Sequence, residues 1–329
     1  MKKIYYTILL IFIATTITYS SNNTFHIKNT SYKSDSVTAY LLALCNYYTY
    51  PDLLQVQDYK SSTELIDSLM FKFKAYGVDT CYYLENKLTS TNIVIFESDN
   101  SLIISFRGSE NKGGLKNWYK DWMKTDLDAT MTAVADWDSV YLHQGFVNAF
   151  FSIKDSLIEM LDSINQYHKK IYLTGHSLGG ALAIVAATDF AINHIGFEAV
   201  YTYGSPRVGG TAFKDFYDCL AIPTFCYINE NDMVTKLPPN KKFWTKEYCP
   251  CYDVSHCGQY QNIGTQYVID EYYKIVSERQ PNLFDGLKKY KLGSIQRHSI
   301  AEYCSRIFYI YFKHDKSLIE KLPQPPEIP

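Results

Sequence analysis

The chain of 329 residues has no surplus of charge in either direction. Its 32 basic and 34 acidic side chains leave a formal net charge of -2, which removes the electrostatic footing for a nucleic-acid partner. Charged residues are 20% of the chain against 47% hydrophobic, too few for a disordered polymer. No internal repeat is present, which excludes a stacked array of short units. Nor is there an apolar run of the ~20 residues that a spanning helix needs. What is there suits one α/β domain, since the length suffices to bury a full core. Aromatic residues are plentiful, with 30 Tyr and 18 Phe, and fit well-packed sheets and helices or, alternatively, a wide apolar binding surface.

The first residues read as an address. Lys2 and Lys3 precede an apolar stretch from Ile4 to Ile17, and Thr18, Tyr19 and Ser20 follow. Residues 1–20 are expected to be a signal peptide, cleaved near Ser20 or Ser21. A membrane anchor is the alternative, disfavoured because the stretch is short and carries Thr7, Thr15 and Thr16. The expected destination is outside the cell or an endolysosomal lumen. Asn22-Asn23-Thr24 and Asn29-Thr30-Ser31 would then accept glycans in a eukaryotic secretory route. The even set Cys45, Cys81, Cys219, Cys226, Cys249, Cys251, Cys257 and Cys304 reads as disulfides in such a compartment. Cys249, Cys251 and Cys257 near His256 invite a zinc site, but Cys-Pro-Cys lacks the spacing of a structural site. The sequence calls for no metal and no organic cofactor.

Apolar spacing of three and four predicts covering helices over 35–48 and 63–76, and one long helix from Gly145 to His168. Asn92 to Phe96 and Leu102 to Phe106 flank Ser98-Asp99-Asn100-Ser101 and read as a β-hairpin. Lys170 to Thr174, Glu198 to Tyr203 and Thr224 to Ile228 are further strands, and Ala181 to Ile192 is a helix. Strands alternating with helices predict a largely parallel sheet flanked by helices. A single folded domain would span 21–322, with a disordered Pro-rich tail over 323–329.

Between the strand at Lys170 and the helix at Ala181 lies Gly175-His176-Ser177-Leu178-Gly179. A serine hydroxyl is a poor nucleophile until a base takes its proton, and it must project from the backbone to reach a carbonyl carbon. The Gly-x-Ser-x-Gly elbow meets the second need, because its glycines clear the space around a strained serine on a strand-to-helix turn. Five residues alone arise by chance; strand, elbow and helix in order point to Ser177 as a nucleophile.

Here the chain resembles the class 3 lipases, the family of the filamentous-fungal triacylglycerol lipases, of the α/β-hydrolase fold. The likeness is carried by Phe106-Arg107-Gly108-Ser109, by Asn117-Trp118 with Asp121, and by His143-Gln144-Gly145-Phe146. It continues through the elbow, Tyr203-Gly204-Ser205-Pro206-Arg207-Val208-Gly209, and Asn231-Asp232 before Leu237-Pro238-Pro239. It spans about residues 90 to 305. By the order of the family's motifs the acid is Asp232, in the loop after the strand at Thr224, with Asp253 the runner-up. The base follows the acid in this fold, leaving His256, His298 and His314, and the resemblance selects His298. His143 and His176 precede the acid and read as structural. The backbone N–H of Leu178 and, from the resemblance, Ser109 form the oxyanion hole, with Asp121 orienting the Ser109 hydroxyl. Glu110 to Leu127 corresponds by order to a lid whose Trp118 and Trp122 meet acyl chains; permanently packed aromatics, as in lidless esterases, are the alternative.

These features imply a serine esterase or lipase acting on triacylglycerol by way of an acyl-enzyme. A phospholipase A1 and an aryl or feruloyl esterase are the alternatives within the fold, and a non-catalytic lipid-binding relative is the alternative outside catalysis. The expected partners are a lipid or ester substrate and a lipid–water interface; no obligate protein partner is evident.

Overall fold

The computed structural model describes residues 34–50, 62–109, 131–134, 137, 140–165, 168–238, 260–277 and 296–327. Ten strands lie within them. They are β1 (Val78–Asn86), β2 (Thr91–Ser98), β3 (Ser101–Phe106), β4 (Met131–Ala133), β5 (Tyr141–His143), β6 (Lys170–His176), β7 (Ala199–Tyr203), β8 (Thr224–Asn229), β9 (Thr265–Ile269) and β10 (Ile275–Ser277). The helices are α1 (Ser36–Tyr48), α2 (Ser62–Phe73), α3 (Gln144–Phe151), α4 (Lys154–Ile164), α5 (Leu178–Ile192), α6 (Thr211–Cys219), α7 (Ile300–Phe312) and α8 (Lys316–Ile319).

Eight strands form one sheet in the order β1-β2-β3-β6-β7-β8-β9-β10, and β4 pairs with β5 apart from it. From β3 to β9 all neighbours are parallel, while β1, β2 and β10 run antiparallel at the two edges. A parallel return needs a long crossover, and α5 and α6 supply it between β6, β7 and β8. The largely parallel sheet flanked by helices is therefore as the alternation predicted.

Side chains alternate along each strand, so every strand feeds two layers. Val94, Phe96, Ile103, Tyr172, Tyr201 and Tyr227 face the layer built by α1, α2 and α7. Ile93, Ile95, Leu102, Ile104, Leu173 and Val200 face the layer of α3, α4 and α5. The helix α5 is buried on almost every side, and its run of Ala and Gly lets it lie close to the sheet. The helix α1 is capped by Asp35, whose carboxylate accepts from Thr38 N at 2.8 Å. It is pinned from below as well: Asn46 Nδ2 donates to Thr174 Oγ1 at 2.7 Å and Ser105 Oγ donates to Asn46 Oδ1 at 3.0 Å. The hydrogen bonds fix α1, from outside the sheet, to β3 and β6.

Three expectations are corrected. The single helix from Gly145 to His168 is two, α3 and α4, broken at Ser152 and Ile153. Ser152 is held by the turn after β1: Asn86 Nδ2 donates to its carbonyl at 2.7 Å, and its hydroxyl meets Thr89 Oγ1 at 2.8 Å. The apolar spacing runs on across the break because both pieces cover the same layer. Disulfides are absent among the described residues: Cys45, Cys81, Cys226 and Cys304 are buried free thiols and Cys219 is an exposed one. The buried four behave as small apolar side chains packed in the core. Finally, the tail is not loose through Glu327. Pro323 O accepts from Tyr40 Oη at 2.7 Å and Pro326 O from Ser305 Oγ at 3.1 Å, which ties it to α1 and α7. The leader over 1–20, the sequons at Asn22 and Asn29, and Cys249, Cys251 and Cys257 lie outside the described residues.

Candidate active site

The strand β6 turns into α5 at Ser177, which has φ 57° and ψ -129°. That is a conformation natural to glycine and strained for any other residue. Backbone bonds hold it there, with Ser177 N donating to Tyr203 O at 3.0 Å and Gly180 N to Ser177 O at 2.9 Å. The turn is tight against β3: a Cβ on Gly179 would come within 2.0 Å of Phe106 O. Glycine is thus required at 179 so that the first turn of α5 can approach the end of β3.

Asp232 stands in the loop after β8, fully buried. Its Oδ1 accepts from Val234 N at 2.9 Å, and its Oδ2 accepts from Tyr303 Oη at 2.7 Å and His298 Nδ1 at 2.8 Å. An ionised carboxylate only accepts, so His298 Nδ1 carries its proton and Nε2 is left with a lone pair. That lone pair faces Ser177 Oγ at 2.8 Å. Loop and helix keep His298 in place: Asn229 Nδ2 donates to Arg297 O at 2.7 Å, and Arg297 and Arg306 both donate to Glu302 Oε1 at 2.7 Å.

Gly204, at the end of β7, closes the site from below. Its φ is 60°, and a Cβ there would stand 2.8 Å from Asp232 Oδ2 and 3.1 Å from His298 Nδ1. Gly204→Ala is expected to cost about 1–3 kcal/mol in backbone strain alone and to displace the carboxylate. Urea unfolding together with ester turnover checks this; wild-type values in both would contradict it.

His176 precedes the serine and is buried. Its Nε2 lies 2.6 Å from His298 O and its Nδ1 2.9 Å from Tyr50 Oη. Burial, and then the neighbouring His298, push its pKa well below the usual 6.5, against the hydrogen bond to the His298 carbonyl. The sign follows from linkage: below about 6.5 the unfolded chain takes up a proton that the folded chain refuses, so this group's stabilisation is present above that pH and lost as the pH falls. Denaturant midpoints measured from pH 7.5 to 5 are expected to fall more steeply in the wild type than in His176→Phe.

The remaining sequence candidates divide. Leu178 is the first residue of α5, so its N–H has no partner four residues back within the helix. Ser109 stands three residues past the end of β3 and is half-buried. The preceding Gly108 lies against the elbow, where an added Cβ would be 3.2 Å from Ser177 Cβ. His143 caps α3, its Nδ1 accepting from Gly145 N at 3.1 Å, which fits the structural reading. His314 is exposed beyond α7. Asp121, Trp118 and Trp122, along with the alternatives Asp253 and His256, lie outside the described residues. Sequence reasoning missed Tyr303 and Tyr50. In sequence Tyr303 is marked only by standing five residues after His298, and nothing there shows that its hydroxyl reaches Asp232.

A three-member chain of acceptor, imidazole and hydroxyl, with a helix N-terminus beside the hydroxyl, can generate an alkoxide and stabilise the oxyanion it forms. Residues 103–242 match the family model described as lipase (class 3). The chain is 30% identical over 176 residues to a lipase of Rhizomucor miehei, covering 49% of this chain and 46% of that protein. It is 26% identical over 170 residues to the secreted mono- and diacylglycerol lipase A of Penicillium cyclopium, covering 50% of this chain and 53% of that protein. The chain thus spans about half the length of the curated relatives it matches. Among solved structures, the native propeptide complex of Rhizomucor miehei lipase superposes with a TM-score of 0.57 at 21% identity, over 83% of this chain and 84% of that one.

Proposed function

Because residues 103–242 belong to the class 3 lipase family and the described residues fold as an α/β hydrolase, we propose that this chain hydrolyses the carboxylic esters of acylglycerols through an acyl-enzyme on Ser177. The observation that carries the reading is the unbroken hydrogen-bond chain from Asp232 through His298 to Ser177.

In this mechanism His298 Nε2 takes the Ser177 proton as Oγ bonds to the ester carbonyl carbon. The negative charge passes to the carbonyl oxygen, where the Leu178 N–H and Ser109 donate to it. Asp232 holds the ring in the tautomer that presents a lone pair to Ser177 and stabilises the imidazolium. Collapse of the tetrahedral intermediate expels the alkoxide, which leaves with the proton from His298. Water then repeats the sequence, losing its proton to His298 and releasing the fatty acid and Ser177. No step calls for a metal or an organic cofactor.

The reading extends to a leader over 1–20, one catalytic domain from residue 21, and a lid over 110–127 whose Trp118 and Trp122 contact acyl chains and whose Asp121 orients Ser109. Export to the cell exterior or an endolysosomal lumen is part of it, supported by the leader pattern and by the likeness to the secreted mono- and diacylglycerol lipase A of Penicillium cyclopium. The test is a set of rates on emulsified triacylglycerol, phosphatidylcholine vesicles and a graded series of p-nitrophenyl esters. Fastest turnover of triacylglycerol is expected. Preference for phosphatidylcholine would make the chain a phospholipase A1, and turnover confined to the soluble esters would make it an esterase. No turnover at all, with no fluorophosphonate label on Ser177, would leave a lipid-binding relative without chemistry.

A further inference from the structure

An imidazole does its work from a defined position, and its position is set by its backbone as much as by its ring. Asp232 and Ser177 hold the His298 ring. The His298 carbonyl is held by a second imidazole: it lies 2.6 Å from His176 Nε2. A carbonyl oxygen has no proton to give, so Nε2 is the protonated nitrogen and Nδ1 carries the lone pair. The Tyr50 hydroxyl stands 2.9 Å from that Nδ1 and donates to it. The same phenol oxygen lies against Gly108, the residue before Ser109. The approach is close enough that a Cβ on Gly108 would fall 2.3 Å from it.

The chain of contacts therefore runs from the backbone of Gly108, packed against the Tyr50 hydroxyl, through His176 to the carbonyl of His298. We infer that Tyr50 and His176 are positioning residues that lock the His298 backbone and the Gly108–Ser109 turn to one another, so that base and oxyanion donor keep a fixed relation to Ser177. The inference rests on the triad reading above. Tyr50 lies just past the end of α1, before the segment that matches the family model begins at residue 103. The fastening of α1 to β3 and β6 by Asn46, Thr174 and Ser105 makes Tyr50 a rigid post. The N-terminal helix is thereby a part of the active-site frame rather than only a cover for the core. His176 also stands beside His298, with ring centroids 4.8 Å apart and planes inclined by 33°. A neutral ring there leaves room for the imidazolium that forms on His298 during each proton transfer.

The test uses the full chain and p-nitrophenyl butyrate, a soluble ester that needs no lipid surface. His176→Phe keeps a flat ring but removes the donor, and kcat is expected to fall about 10- to 100-fold with KM unchanged, the effect of a sub-ångström to ångström misplacement of the base. His176→Gln, which returns an N–H at the same reach, restores most of kcat. Tyr50→Phe leaves Nδ1 without its donor, frees the ring to take the other tautomer, and lowers kcat in the same direction by less. The double variant Tyr50→Phe/His176→Phe falls no further than His176→Phe, because both act through one chain. Thermal unfolding of each variant monitors the fold; should His176→Phe fail to fold, Tyr50→Phe and His176→Gln carry the test. An unchanged kcat in Tyr50→Phe, a Gln variant as impaired as Phe, additive losses in the double variant, or a loss expressed in KM would overturn the inference while leaving the triad intact. A wild type whose turnover does not depend on Ser177 would overturn the triad reading, and this inference with it.

Discussion

Ser177→Ala is expected to lower ester turnover by about six orders of magnitude and to abolish fluorophosphonate labelling, with the fold retained. The reasoning is chemical. Without Oγ there is no alkoxide, and what remains is a helix N-terminus and a bound ester attacked by water. Residues that work as a unit lose their value together, so Ser177→Ala/His298→Ala is expected to be no slower than the single variant. Stability adds an independent reading of the same residue. Ser177 is held at φ 57° and ψ -129°, where glycine is at ease and alanine is not. Ser177→Gly should therefore be as inactive as Ser177→Ala yet more stable than it by up to about 1–3 kcal/mol, less the greater freedom glycine gains on unfolding. Urea denaturation of the two inactive variants isolates the strain stored at the elbow. Equal stabilities would mean that the surrounding turn has relaxed and that no strain is held there.

The fold was legible where periodicity and turn chemistry act locally. The hairpin of β2 and β3, the strands β6, β7 and β8, and the helices α1 and α5 can each be read from spacing, because each buries a face whose period is its own. The strand β1 was not: Val78–Asn86 is an edge strand with only Val78 and Cys81 buried, so no alternation marks it. The break between α3 and α4 was hidden for a different reason. It is made by Asn86 and Thr89, more than sixty residues away in sequence, and nothing near Ser152 announces it. Cysteine parity misled as well, since an even count fits bridges and buried thiols alike, and only the core around Cys45, Cys81 and Cys304 decides.

The site divides along the same line. Ser177 is marked by its own neighbours, because an elbow needs glycines within two residues. Asp232 and His298 are 66 residues apart, and only chain order and resemblance linked them before the 2.8 Å contact between them was seen. Tyr303 and Tyr50 are long-range partners with no motif of their own; a tyrosine that donates to a buried carboxylate is indistinguishable in sequence from one that packs. With 30 tyrosines in the chain, composition could not single out either.

Asp232→Asn is expected to lower kcat by about four orders of magnitude, and the structure explains why an isosteric change would be so costly. The carboxylate accepts on both oxygens, from Val234 N on Oδ1 and from His298 Nδ1 and Tyr303 Oη on Oδ2. An asparagine has one acceptor and one donor side, so each of its two orientations fails somewhere. If the amide oxygen stays toward His298, the NH2 group meets the Val234 N–H, donor against donor, in a buried pocket. If the amide turns over, its NH2 faces His298 Nδ1, which must then become the acceptor; the ring's proton moves to Nε2 and the lone pair that should take the Ser177 proton is gone. The first orientation costs stability, about 1–3 kcal/mol for the buried unpaired donor, and the second costs catalysis. Measuring both in one variant separates them. A large fall in kcat with near-native stability identifies the turned amide, and marked destabilisation with substantial kcat identifies the clash at Val234. Wild-type kcat together with wild-type stability would mean that Asp232 neither orients nor stabilises His298, and the acid would have to be sought elsewhere in the chain.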